Sequence, residues 1–527
     1  MCGILATNHP AVEREAFARA VNLMTHRGPD ASGLLSEGPV HLGHRRLKIV
    51  DLDDRSNQPF TSACGRYVIV FNGEIYNFRE LAGRYDLQLH TAGDTEVLLE
   101  LFARKGPAIL PELYGMWAFV IWDRQAQSLF AARDRLGVKP LYYMQREGAC
   151  SLASEVAPLL ALHGASRPDI FALRQFLKMR GCFNGRTIWQ DIRMLPAGHY
   201  MENGRLVRYW SLPPGTQPPP EDDELRTLVE QAVERRLVAD VPVGSYLSGG
   251  LDSTIVAGLA GKPHTWTVGF TESNEFPWAR MAADTFHSTH HEVLVEREEF
   301  LATAKDMIRH RREPLAVPNE VLLCLMTRAV KRENTVVLSG EGADELFLGY
   351  DRIFRWAAHA QEWNLEDFAS HYAYSGHSDP EVIADAMAPF LTPGATVLES
   401  VAAFFQVAHL HALLRRVDNS TMDASVEARV PFVDHTLVER MAGTPFDWRM
   451  AGGIAKAPLK RVFSHLVPHG IIDRPKIGFP VPLKALGFGG RVVAGRALSP
   501  MEDWLWWNLE LHTDSALEWG DLGLPPP

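Results

Sequence analysis

SYLSGGLDST, residues 245–254, is the stretch whose reading decides the fold. It follows the strand-like VPVGSYL (241–247) and precedes an apolar helical run, STIVAGLAG (253–261). A strand that ends in a glycine-rich turn and restarts as a helix gathers backbone N–H groups at the positive helix N-terminus, an arrangement that holds phosphate. Gly249 and Gly250 let the backbone approach an anion, Ser248 and Ser253 add hydroxyl donors, and Asp252 can position magnesium on pyrophosphate. The stretch is not the GxxxxGK[ST] loop, because it lacks the lysine and the spacing. A bare SGG would be a helix-capping turn; strand, loop, helix and acid in this order favour a phosphate site.

Outward from this point, TWTVGF (265–270) and TVVLSG (335–340) read as further short buried strands, with a helix predicted over DDELRTLVEQAVERRLVAD (222–240). Strands alternating with helices predict a parallel sheet with crossover helices. VVLSGEGADELFLGY (336–350) sets Glu341, Asp344 and Glu345 just after a strand, where α/β sheets bind ligands. Beyond about residue 350 the pattern is mostly helical, ending in DWLWWNLELH (503–512), a helix expected to pack on the core before a frayed tail. Upstream, WSLPPGTQPPPEDDE (210–224) holds five prolines followed by four acids and reads as a stiff, exposed linker. The first 210 or so residues are richer in strands. YVIVFNGEIY (67–76) is expected to break at the turn signal Asn72-Gly73, and MWAFVIWD (116–123) with LFAARD (129–134) to form a hairpin. Helices are expected over 13–24 and 94–106.

At 527 residues, two or more domains are expected. A net charge of −11 offers no basic footprint for nucleic acid. The five cysteines show no zinc spacing and no disulfide framework; with no secretory segment and no run of about 18 apolar residues, they predict a cytoplasmic protein without membrane or nucleic-acid partners. Cys64, Cys150, Cys182 and Cys324 are expected to be core thiols. Cys2 differs: removal of Met1 would leave a thiol and a free α-amine on one residue, a nucleophile with its own base.

SGGLDS resembles the pyrophosphate loop of the ATP pyrophosphatase family. MCGI, HRGPD (26–30), LGHRRLKIVD (42–51), FNGEIYN (71–77) and AGDTE (92–96) resemble the class II glutamine amidotransferases. With SVEARVPFVD (425–434) and RPKIGFPVPL (474–483), nearly the whole chain resembles the glutamine-hydrolysing asparagine synthetase family. The resemblance implies an α/β and α+β protein. Its N-terminal part would be an Ntn-hydrolase four-layer αββα sandwich over residues 1–209, joined by the Pro-rich linker 210–223 to a parallel-sheet, Rossmann-like ATP pyrophosphatase domain over 224–505. That domain would have a helical C-terminal part, and residues 506–527 would be a tail.

It also implies roles. Cys2 would attack glutamine, with Asn72 and Gly73 as oxyanion donors; Arg46, Leu47, Ile49, Val50, Glu74 and Asp94 would hold the glutamine. ATP would meet Leu247, Ser248, Gly249, Gly250, Asp252, Ser253, Val268, Ser339 and Gly340. Glu341 would be catalytic and, with Asp344, contact the acceptor; Lys476 would stabilise charge on the phosphate; Asp252 and Asp344 would carry Mg2+ through pyrophosphate. Ammonia would cross a tunnel, aspartate is the default acceptor, and a homodimer follows by analogy. Two departures stand out: Asn419 lies where the family usually has a basic residue, and HRREPLAVPNEVLL (310–323) differs from housekeeping members. They keep open the same chemistry on another carboxylate, such as a peptide, uronic acid or secondary metabolite. Still further alternatives are a glutaminase or Ntn hydrolase with an inert second half, and a non-catalytic interaction protein.

Overall fold

The computed structural model describes residues 2–164, 166–213, 216–474, 479–493, 495–513 and 522–523. Its N-terminal part contains two six-stranded sheets. One is ordered Arg193–Met194, Tyr142–Arg146, Ala149–Ala153, Gly3–Thr7, Val40–Arg46, Ala31–Glu37; the other is ordered Arg205–Arg208, His199–Glu202, Ser128–Arg133, Gly115–Asp123, Tyr67–Ile75, Phe60–Thr61. Every pairing assigned within them is antiparallel. Because side chains alternate along a strand, each strand serves two layers. Ile4, Ala6, Val68, Val70, Ala118 and Val120 form the seam between the sheets. Their neighbours point outward: Leu5 meets Phe17, Val21 and Val156 of covering helices, while Ile69 and Phe71 meet Val97, Leu98 and Leu101. The four layers of the sandwich follow from that alternation.

The 116–123/128–133 hairpin forms, with Asp123 opposite Ser128. Asn72-Gly73, however, is no turn: the strand runs unbroken from Tyr67 to Ile75, with Asn72 opposite Ala118 and Gly73 opposite Trp117. Gly73 is required for close approach instead, since a Cβ there would lie 2.2 Å from the Met116 carbonyl oxygen, at φ +152°. The helix over Asp94–Lys105 ends at Gly106, φ 58°, as the sequence indicates.

The second part is built on a five-stranded parallel sheet, ordered Thr289–Leu294, His264–Gly269, Val243–Tyr246, Val336–Leu338, Glu427–Arg429. The chain starts at the central strand, adds two strands on one side, then returns to add two on the other. The order therefore reverses between Tyr246 and Leu338, and the crevice beyond these two strand ends is where an open α/β sheet binds ligands. Helices complete the part. Val397–Met422 is long and apolar enough to span a membrane, with mean hydropathy 1.5 over its best window, against the expectation that no such stretch exists. Over half of that window is buried, and Val401, Phe404 and Phe405 pack against Phe354, Phe368 and Ile383, so its apolarity is that of a core helix. Pro500–Thr513 is also a core helix, burying Trp504, Trp506 and Leu509, so a division at 505 would fall inside it. Cys64 is exposed, unlike the core thiol expected, because it sits in the turn between Thr61 and Tyr67. The Pro-rich connection is pinned to the second part: Trp210 Nε1 donates to Glu439 Oε1 at 2.6 Å, and Gln217 N to the Gly443 carbonyl at 3.0 Å.

The two parts share a buried polar seam. The Arg27 guanidinium donates to the Cys2 carbonyl oxygen at 3.1 Å and to Asp418 of the second part at 2.8 Å. Asp240 N donates to the Ile49 carbonyl, and Asp51 N to Asp240 Oδ2.

Candidate active sites

Cys2 opens the strand Gly3–Thr7 and is buried beside the equally buried Asn72, near the middle of Tyr67–Ile75. Cys2 N donates to Asn72 Oδ1 at 2.9 Å. That bond fixes the amide, and Asn72 Nδ2 is left buried with no acceptor among the described residues. A buried amide N–H without a partner costs about 1–3 kcal/mol, and a donor held free at a nucleophile is what an oxyanion requires. Burial pushes the Cys2 thiol up; the chain-terminal charge, the Leu47 amide and the Arg46 charge oppose it.

Asp94 lies at the start of the helix Asp94–Lys105 and accepts from Ile75 N at 2.8 Å. Burial lifts its carboxyl to about 6, with the Ile75 amide pulling down and the Glu427 charge pushing up. Glu74 is buried nearby, and its carboxyl is raised well above the usual range by burial, then by the charges of Glu427 and Asp94. Arg46 is turned differently from the expected carboxylate clamp. Its terminal N–H groups donate to the carbonyls of Val50, Asp51 and Asp53 and to Asn57 Oδ1, folding the 50–53 loop around the guanidinium. A bidentate hold on glutamine would require it to exchange those partners. Leu47, Ile49 and Val50 are buried along the same loop, with the Ile49 carbonyl already accepting from Asp240 N.

At the sheet's topological switch, SGGLDST forms the turn into the helix Leu251–Ala260. Gly249 has φ +71°, and a Cβ there would lie 2.4 Å from the Trp278 backbone. Ser248 Oγ and Ser253 Oγ are 3.0 Å apart, and Gly250 N donates to Ser248 Oγ. Gly340, after the adjacent strand, packs on the loop, a Cβ there lying 2.9 Å from Ser253 N. A cavity of about 530 Å³ lies over the loop, lined by Ser248, Gly250, Asp252, Lys456, Lys460 and Arg474. Leu247, Val268 and Ser339 are buried at strand ends outside that lining. A second cavity, of about 720 Å³, shares Asp344, Gly349, Asp351 and Phe479 with the first and contains Glu341 in its wall. Arg416 donates to Glu341 Oε1 at 2.6 Å.

Lys456 was missed in the sequence. Its ammonium, almost fully buried, bonds both Asp252 and Asp344, the latter at 2.6 Å. Burial alone would lower its affinity for a proton, but those two carboxylates reverse the effect and hold it charged. IAKAPLK (454–460) has no local signal for this: the lysine reaches its partners only because the residue adopts φ 58° ahead of the helix Ala457–Val462. Lys476 lies outside the described residues. Arg415, Arg416 and Asn419, on one helix, line a small separate cavity, to which the two arginines bring positive charge and Asn419 none.

The asparagine synthase profile matches residues 224–501, more than half of the chain. The chain belongs to the asparagine synthase family. A glutamine amidotransferase domain profile matches residues 1–210. The chain is 29% identical to asparagine synthetase [glutamine-hydrolyzing] 3 of Bacillus subtilis, over 91% of this chain and 87% of that protein. It is 31% identical to a putative asparagine synthetase [glutamine-hydrolyzing] of Mycobacterium bovis, over 92% and 88%. It is 29% identical to asparagine synthetase B [glutamine-hydrolyzing] of Escherichia coli, over 90% and 81%. This member of the family is a glutamine-dependent amidotransferase ligase, and the family implies use of ATP, glutamine and an acceptor.

Proposed function

We propose that the protein hydrolyses glutamine in its first part and uses the ammonia in its second part to amidate an ATP-activated carboxylic acid. Asparagine made from aspartate is the version that the relatives' names suggest. The observation that carries the reading is Asn72, whose oxygen is tied to Cys2 N while its buried amide N–H stays unpaired.

With Met1 removed, the Cys2 α-amine accepts the thiol proton and the thiolate attacks the glutamine amide carbon. Asn72 Nδ2 and the Gly73 N–H stabilise the oxyanion, ammonia leaves with the returned proton, and water hydrolyses the thioester to glutamate. Asp94 and Glu74 hold the glutamine amine; Arg46, with the 47–50 loop, meets its carboxylate. In the second part, an acceptor carboxylate oxygen attacks the α-phosphorus of ATP and pyrophosphate leaves. Ammonia then attacks the acyl carbon, AMP departs, and the amide forms with release of a proton.

The loop from Leu247 to Ser253, with Val268, Ser339 and Gly340, is assigned to the nucleotide, Glu341 and Asp344 to the acceptor, and Lys476 to the phosphate during adenylation. Two facing carboxylates beside a phosphate cavity fit magnesium, which is commonly bound by one or two carboxylates plus substrate phosphates. Asp252 and Asp344 would hold it, and it would neutralise charge on the departing pyrophosphate. Lys456, which already joins them, keeps the same carboxylates oriented. We assign glutamine hydrolysis to residues 1–209 and synthesis to 224–505, with 210–223 as linker.

The test is mass spectrometry of a reaction containing glutamine, ATP, magnesium and aspartate. Asparagine with matching AMP and pyrophosphate is the expected result. Glutamate without asparagine would move the acceptor to another acid, and absence of pyrophosphate with every carboxylic acid would refute the second half of the reading.

A further inference from the structure

The cavity beyond Glu341 is poorly matched to aspartate. At about 720 Å³ it lies in the range, ~300–1,000 Å³, of pockets that enclose drug-sized ligands. Its carboxylate-bearing end, with Glu341 and Asp344, adjoins the nucleotide cavity through shared residues. Beyond the shared residues the wall is aromatic: Tyr350, Tyr372, Tyr374 and Phe405. Such faces favour a flat, unsaturated body over a short polar acid.

Arg180 adds the decisive feature. It caps the helix Ile170–Met179 in the left-handed conformation, φ 57°, and its guanidinium stacks on Tyr374, 3.1 Å from the ring centre. Among the described residues it makes no side-chain hydrogen bond or ion pair, and its Nε is buried without a partner. The neighbouring Arg416, by contrast, is neutralised by Glu341. A guanidinium facing a cavity without a counter-charge calls for an acceptor of matching geometry, and its planar fork suits a carboxylate.

Resting on the amidation chemistry proposed above, we infer that the acceptor is an aromatic dicarboxylic acid considerably larger than aspartate. One carboxylate lies at the Glu341–Asp344 end, where its oxygen attacks the α-phosphorus. The aromatic body fills the tyrosine-lined space. The second carboxylate pairs with Arg180 and is not activated. Arg180 is thus a specificity residue rather than a participant in bond making.

Pyrophosphate release by the full chain, with glutamine, ATP and magnesium, is measured with aspartate, benzylsuccinate and 3-phenylpropionate as acceptors. Benzylsuccinate should exceed aspartate at least about tenfold in kcat/KM, and Arg180→Gln should cut its kcat/KM by about tenfold or more. The same variant should leave 3-phenylpropionate, which has no second carboxylate, and glutamine hydrolysis unchanged. Arg180→Lys should restore part of the loss, and matched Tm values for both variants would exclude misfolding. Aspartate as the best acceptor, or an equal loss for both aromatic acids, would overturn the inference while leaving the amidation chemistry intact. Pyrophosphate from none of the three acids, in protein that still hydrolyses glutamine, would overturn the inference; absence with every carboxylic acid would overturn the amidation chemistry as well.

Discussion

The two sites solve opposite problems with opposite materials. Around Cys2 nearly everything is buried, the geometry is set by strand pairing, and the group left spare is a neutral amide donor, Asn72 Nδ2. Around Ser248 the site lies over an accessible cavity, and its charged groups are already in contact: Lys456 joins Asp252 to Asp344, and Arg416 joins Glu341. A site for one small amide can be fixed in advance by sheet register. A site for a polyanion and a variable acid must hold its charges in pairs that substrates can rearrange, because an uncompensated buried charge is costly. Substitution of the first site's neutral groups, Cys2 and Asn72, is therefore expected to change rate alone, and substitution of the second site's paired charges to change both rate and stability.

Cys2→Ala tests the comparison most severely. Glutamine-dependent amide formation should fall by about 10⁴-fold or more, as loss of a nucleophile does, whereas ammonia-dependent formation should stay within about threefold, since the variant touches nothing at the nucleotide site. Parallel rate assays with the two nitrogen sources decide it. Loss of both activities in a folded variant would show that the sites are not separable. Asn72→Ala should lower kcat for glutamine by about 10²–10³ with little change in KM. Lys456→Met should reduce pyrophosphate release by a similar factor without touching glutamine hydrolysis. It should also lower stability by about 3–5 kcal/mol in urea unfolding, because two carboxylates lose a buried cation. An Asn72→Ala variant as destabilised as Lys456→Met would erase the distinction.

The same contrast explains what could be read from the sequence. The first site was legible because its residues act through local strings: Cys2 beside Gly3, and Asn72-Gly73-Glu74 on one strand. What misled was Asn72-Gly73 itself, whose turn chemistry is overridden by pairing with Ala118 and Trp117. Arg46 was legible as a cation but not in its orientation, which the 50–53 loop carbonyls decide. In the second site, the phosphate loop announced itself through strand–glycine–helix order. Lys456 and Arg180 did not, since Lys456 lies 112 residues from Asp344 and Arg180 lies 161 residues from Glu341, and each reaches its site through a left-handed backbone conformation. No periodicity or spacing records such a contact. The parallel sheet was legible from strands alternating with helices, and the four-layer sandwich only from the family resemblance; the apolar helix Val397–Met422 was not, because its few charges interrupt the run while three-dimensional packing supplies the burial.

The smallest expected effect is also the one that separates placement for function from placement for stability. Burial lifts Asp94 from 3.8 to about 6. Its ionised form, present above that pH, is the one that attracts the glutamine ammonium. As pH falls through about 6 the carboxylate gains a proton, so kcat/KM for glutamine should fall about tenfold per pH unit, while Asp94→Asn should stay flat there at a low value. Stability runs the other way. A group whose folded pKa is raised contributes stability that is complete below its unfolded value, 3.8, and lost as pH rises through about 6. Asparagine keeps an oxygen for the Ile75 amide and never ionises, so Asp94→Asn should be the more stable protein at pH 8, by up to about 3 kcal/mol. The difference should vanish below pH 4. Urea unfolding at the two pH values, set beside the kinetic profile, checks both signs. A variant that lost activity and stability together at pH 8 would mean that Asp94 is there to hold the sheet to its helix, and that the first site is less finished than its burial implies.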